Sequence, residues 1–126
     1  MQNTSKLFLI SACLLLLSGV QLGALGSHAL DDVLTPAKLR SWELAVQYQL
    51  VHSLGLLLIT LLYEKLNQPV LMRWASCFML AGICLFSGTI YITALGAPAA
   101  LGIITPFGGI SLMLAWLLLA IAIYRS

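Results

Sequence analysis

The chain has 126 residues, of which 61% are hydrophobic and 8% charged, with a formal net charge of +2 and a mean hydropathy of +1.04. That balance lies outside the range of water-soluble domains and makes the bilayer the fitting solvent. Its few basic residues form no Lys/Arg run, which argues against nucleic acid as a partner.

A membrane helix needs about 20 mainly apolar residues. Four stretches qualify, 7–25, 44–63, 74–95 and 106–124, and none contains Asp, Glu, Lys or Arg. The expected fold class is all-α: a polytopic membrane protein forming a single four-helix transmembrane domain over 1–126, built as two helical hairpins. In the first span, Lys6, the apolar run from Leu7 and the small residues Ser27 and Ala29 imitate a secretory signal, and residues 10–13 loosely imitate a lipoprotein cleavage box. The run is long for a signal core, so retention as a span is expected.

The second helix is expected to begin before the membrane does. Thr35 is a good N-cap and Pro36 suits the first helical position. Leu39, Trp42 and Val46 then repeat at helical spacing. A helix over 36–64 would be roughly 43 Å long, so its first turns should protrude, with Trp42 as an interfacial anchor. The connection 64–73 is charged, and 96–105 is not. Four spans put Lys6, Lys65, Arg73 and Arg125 on the side of the termini and Lys38 and Arg40 on the other. The positive-inside rule then favours both termini in the cytoplasm.

Shifting the chain by 70 residues lays "LGSHALDDVLTPAKLRSWELA" over "LGAPAALGIITPFGGISLMLA", with eight of 21 positions identical. The matches include paired Leu-Gly and Thr-Pro boundaries: Leu25-Gly26 with Leu95-Gly96, and Thr35-Pro36 with Thr105-Pro106. This predicts a parallel internal repeat, two hairpins related by a pseudo-two-fold axis along the membrane normal. His28 aligns with Pro98 and His52 with Ala122, so both histidines belong to the first hairpin.

Membrane helices associate through small residues that allow close backbone approach. Gly19, Gly23 and Gly26 supply such a stripe on helix 1, Cys77, Ala81, Cys84, Gly88 and Tyr91 on helix 3, and Gly108, Ser111, Ala115 and Ala122 on helix 4. The cysteines read as small packing groups rather than as a soft-metal site with Met79, because Cys77 and Cys84 lie about 10 Å apart by helix rise.

The polar residues inside the spans gather toward one side. Gln21, Gln47, Gln49, His52, Ser53, Thr89, Tyr91, Thr93 and Thr105 all fall near the ends that topology places together. Unpaired polar groups in hydrocarbon cost several kcal/mol. One hydrogen-bonded cluster is therefore expected, comprising Gln21, His28, Tyr48, Gln49, His52, Tyr91 and Thr105. Gln49–His52 and Tyr48–His52 should be local pairs, with His52 tying two helices together. Ser27, His28 and Asp31 are too close in sequence to read as a triad, no hydrolase or metalloprotease motif is present, and no span carries a carboxylate. His28 and His52 sit at different depths, which disfavours bis-histidine haem. No catalytic, cofactor or metal site is expected.

"GALGSHAL", "YQLVHSL", "FSGTIY" and "ITPFGG" together resemble the signature of the domain of unknown function 423 family, small bacterial inner-membrane proteins. The resemblance covers nearly the whole chain. It implies four membrane helices and gives signature roles to Gly23, Gly26, His28, Tyr48, Gln49, His52, Tyr91, Thr105, Pro106, Gly108 and Gly109. Around the histidine motif, where the family usually carries an aromatic and a small residue, Leu25 and Ser27 stand. The resemblance also implies that the "GSHAL" stretch is kept, and it brings no activity. The expected function is a non-enzymatic structural, accessory or assembly component of the inner membrane, partnered by the lipid bilayer and by itself or a larger complex. The alternative is a conduit for a small molecule or ion, or a lipid- or quinone-binding protein, using the polar cluster around His52.

Overall fold

The computed structural model describes residues 2–126. Its elements are α1 (Asn3–His28), α2 (Pro36–Leu62), α3 (Pro69–Ile83), a π turn (Cys84–Gly88), α4 (Thr89–Ala94), a 3-10 turn (Ala99–Ile103) and α5 (Thr105–Arg125). Through the π turn, α3 and α4 form one continuous rod, so four helices are long and apolar enough to cross a bilayer. The protein is an all-helical, polytopic membrane chain. Each helix outruns the apolar stretch that marked it. The spans, the last counted with the 3-10 turn that leads into α5, run 26 or 27 residues, about 40 Å at helical rise, against a hydrocarbon core of about 30 Å.

The boundaries follow local chemistry. Thr35 caps α2, its side chain accepting the Lys38 N–H at 3.3 Å with Pro36 in the first turn. Pro106 occupies the first turn of α5. The Thr-Pro pair thus opens a helix in both halves. The Leu-Gly pair does not play equal parts. Gly96 adopts φ +112°, with the Ala97 N–H donating to the Ile92 carbonyl and Gly96 N–H to Thr93. That is the left-handed stop that glycine permits. Gly26, by contrast, lies inside α1, where a Cβ would stand 2.7 Å from Trp42. Close packing, not chain reversal, requires it.

α1 packs on α2, α2 packs on α3, the π turn and α4, and α5 packs on α3 and the π turn. No comparable contact joins α1 to α5 among the described residues. A pseudo-two-fold axis would map the α2–α3 contact onto an α5–α1 contact, so the expected two-fold packing is corrected to an open bundle centred on α2 and the third span. The reason lies in the first helix. Its buried residues Ser5, Ala12, Gly19 and Gly26 recur every seven positions, a single narrow seam that serves one neighbour. α3 buries the wider face Met72, Ala75, Ser76, Met79, Gly82 and Ile83.

Two further expectations are revised. Cys77 and Cys84 are exposed, as is Cys13, because Gly82 admits Leu112 of α5 and turns the other face of α3 inward. Trp42 is not an interfacial anchor: it is 1% exposed. The α5 stripe of Gly108, Ser111, Ala115 and Ala122 is buried.

Candidate functional site

The middle of α2 sends polar side chains in two directions, and these do not meet. Gln49 faces α1. Its amide nitrogen donates to the Leu15 carbonyl at 2.8 Å and to Ser18 Oγ at 2.9 Å, and its carbonyl oxygen accepts the Tyr91 hydroxyl at 2.7 Å. Ser18 Oγ in turn donates to Leu15 at 3.2 Å. Gly19 makes room chiefly for Leu50, whose Cδ2 a Cβ there would meet at 2.7 Å, with Gln49 Nε2 beside it at 3.4 Å. Both amide hydrogens and the carbonyl of Gln49 are thus used, and α1, α2 and α4 are joined at one point. Two turns nearer the start of α2, Trp42 Nε1 donates to the Leu22 carbonyl at 2.8 Å. Its ring meets that of Tyr91 at 4.7 Å and 57°, an edge-to-face type of contact.

His52 turns toward α5 instead. Its Nδ1 lies 2.8 Å from the Tyr48 carbonyl one turn back in the same helix, and its ring sits 5.4 Å from Tyr48 and 5.9 Å from Trp116 of α5. Tyr48 stacks on Phe86 of the π turn at 4.4 Å and 22°. These groups line a cleft of about 360 Å³ between α2 and α5. The Tyr48–His52 pair forms, through ring and backbone; Gln49–His52 does not, and His52 makes no hydrogen bond to another helix among the described residues. At about 100° per residue, His52 lies about 40° around the axis from Tyr48 and about 60° from Gln49, and the bonds of Gln49 to α1 and Tyr91 draw its amide away from the imidazole.

A third polar contact joins α4 to α5. Thr89 and Thr105 meet at 2.6 Å, and Thr89 also donates to the Leu85 carbonyl. The π turn makes this geometry available: its extra residue shifts the register, so that Ser87 Oγ reaches the Ala45 carbonyl of α2 at 2.7 Å while Thr89 looks at α5. Wide π turns of this kind recur at functional positions. Gly108 sits directly against it, where a Cβ would fall into the Phe86 amide and 2.7 Å from the Leu85 carbonyl carbon. Gly109, the next residue, meets nothing nearer than 3.9 Å.

The expected single cluster is therefore three separate ties. The structure brings together Gln49 with Tyr91, Tyr48 with His52, and Thr105 with Thr89. Gln21 and His28 are left exposed at the end of α1, outside all three, because the buried seam of α1 runs through Gly19 and Gly26. Gly23 packs near Val46, and Pro106 borders the His52 cleft. Sequence reasoning missed Ser18, Ser87 and Trp42. For Trp42 the signal was there, since it shares an apolar face with Leu39 and Val46. No group of three His, Cys, Asp or Glu side chains among the described residues could hold a metal ion.

The family model for a protein of unknown function, DUF423, matches residues 22–109. Of the site residues, Leu15, Ser18, Gly19, Gln21 and Trp116 fall outside that stretch and Gln49, His52, Tyr48, Tyr91, Thr89 and Thr105 fall within it. The chain belongs to the DUF423 family. It is 37% identical to the UPF0382 membrane protein YwdK of Bacillus subtilis over 117 residues, 93% of this chain and 95% of that one. A UPF0382 membrane protein of Staphylococcus epidermidis is 40% identical, with 93% and 94% covered. One from Staphylococcus haemolyticus is 38% identical, with 95% and 97% covered. No solved structure matches. These relatives are thus membrane proteins of similar length, and none of their names carries an activity.

Proposed function

We propose that the protein is a non-enzymatic component of the inner (plasma) membrane, one that acts by association: a structural, accessory or assembly subunit, alone as an oligomer or within a larger complex. The observation that carries this reading is the use of Gln49. Every hydrogen-bonding group of its amide is spent on holding α1 and α4 against α2, which is a construction role and leaves no polar group free for chemistry there. Interhelical bonds of this kind contribute about 0.6–2 kcal/mol each in membranes. The open side of the bundle supports the same reading. α1 has one packing seam and makes no comparable contact with α5, so a flank stays free for lateral association. The charge distribution, four basic residues on the side of the termini and two on the other, supports cytoplasmic termini.

Crosslinking in intact membranes, followed by purification in a mild detergent, tests the proposal. A stoichiometric partner or a defined self-assembly is the expected result. A strictly monomeric, partner-free species under both treatments would refute it.

A further inference from the structure

The cleft beside His52 carries a second, independent reading. A carbonyl oxygen can only accept, so the 2.8 Å contact to Tyr48 fixes the hydrogen on Nδ1. A neutral imidazole then presents a lone pair at Nε2, and no group among the described residues donates to it. Among the described residues, the only fully buried side-chain nitrogen or oxygen without a partner is Ser53 Oγ. Nε2 therefore retains access, although the residue is only 9% exposed, and His52 lines the cleft. An acceptor left bare in hydrocarbon is costly. A ligand that donates a hydrogen bond would recover that cost.

The walls specify the rest of the ligand. Tyr48 and Trp116 flank the imidazole and Phe86 stacks on Tyr48, so three rings line the cleft, which favours a flat aromatic head group by offset or edge contacts. The mouth is formed by Ile110 and Met113 of α5, which are 52% and 71% exposed, so it opens sideways on the surface that faces lipid. A ligand would arrive from the bilayer and leave its tail along α5. We propose that this cleft binds a membrane-soluble aromatic alcohol, a phenol or hydroquinone head group whose hydroxyl donates to His52 Nε2. An oxidised quinone offers only acceptors, and so does an aryl ether. Both are rejected, because neither can satisfy a bare acceptor.

The chain has two histidines, which makes the test direct. The full protein, labelled with 15N-histidine and held in lipid nanodiscs, is titrated with 4-dodecylphenol and, separately, with its methyl ether. The phenol should move the His52 Nε2 resonance upfield as that nitrogen begins to accept a hydrogen bond. The ether should leave it in place, and exposed His28 should respond to neither. His52→Phe, which keeps a ring and removes the acceptor, should weaken phenol binding roughly tenfold. Equal responses to phenol and ether, no response to either, or a hydrogen found on Nε2 of the unliganded protein would each overturn the assignment. None of these outcomes depends on the variant folding, and none bears on the accessory role.

Discussion

The half of the bundle that carries the 29–35 and 95–104 connections and the half that carries the termini are held together by different physics. Near the two connections, helices meet through glycine and through hydrogen bonds that cross from one helix to another: Trp42 to Leu22, Gln49 to Leu15 and Ser18, Tyr91 to Gln49, Ser87 to Ala45, and Thr89 with Thr105. Toward the termini, the contact is apolar and interlocked, through Ala12, Leu56, Ile59, Met72, Met79, Leu119 and Ala122. The buried hydroxyls of Thr60 and Ser76 turn back on their own helix, to Leu56 and Met72, while Ser111 Oγ, near the border between the halves, crosses from α5 to the Phe78 carbonyl of α3 at 2.7 Å. Lipid tails are as apolar as leucine, so burial alone does not drive helices together in a bilayer. One half gains its affinity from close approach and polar ties, the other from shape. The cleft at His52 lies near the border between the two.

The largest effect is expected at the closest approach. Gly108→Ala places a methyl group into the backbone of Leu85 and Phe86, which cannot swing aside as a side chain would. Overpacking of this kind costs about 1–3 kcal/mol, and a rigid backbone neighbour puts it at about 3 kcal/mol. Gly109→Ala, with its nearest neighbour at 3.9 Å, should be neutral within about 0.5 kcal/mol. Titration with SDS from a mild detergent, followed by circular dichroism, measures both. Equal costs at the two glycines would remove backbone contact as the organising feature of this half.

Next comes the polar tie. Gln49→Leu removes three hydrogen bonds and leaves the Tyr91 hydroxyl in hydrocarbon, for an expected loss of about 2 kcal/mol. Tyr91→Phe removes one bond and should cost about 0.6–1 kcal/mol. The double variant should cost no more than Gln49→Leu alone, because the single changes share one bond. Additive losses would mean that the two side chains act independently and that the three helices are not joined there.

Much of this architecture is legible in the amino-acid sequence, and the limits have physical causes. The four helices follow from apolar runs too long for anything but a bilayer, and the Thr-Pro starts from the fixed φ and missing N–H of proline. The side toward which the polar residues gather follows from topology alone. What a linear pattern does not carry is azimuth. Gln49 and His52 are three positions apart, near neighbours by spacing, yet one lies against α1 and the other against α5. Cys77 and Gly82 are both small, and which of them faces inward depends on Leu112 in a different helix. The π turn is the sharpest case. A single extra residue redirects Ser87 and Thr89, and "CLFSG" bears no mark that separates it from an ordinary α-helical turn.

The smallest expected effects belong to the terminal half and test the comparison most severely. Ser76→Ala and Thr60→Val each delete a buried hydroxyl, and burial alone would rank them with Tyr91→Phe. Their geometry says otherwise. Each hydroxyl donates to a carbonyl four residues back that keeps its regular helical partner, so deletion leaves no group unpaired. Such back-bonding bends a helix slightly and adds little to its stability. Both variants should therefore stay within about 0.5 kcal/mol of the parent in the same SDS titration. A loss of 1 kcal/mol or more at either position would show these hydroxyls to be holding a second helix, and the division between a polar half and a shape-matched half would fall.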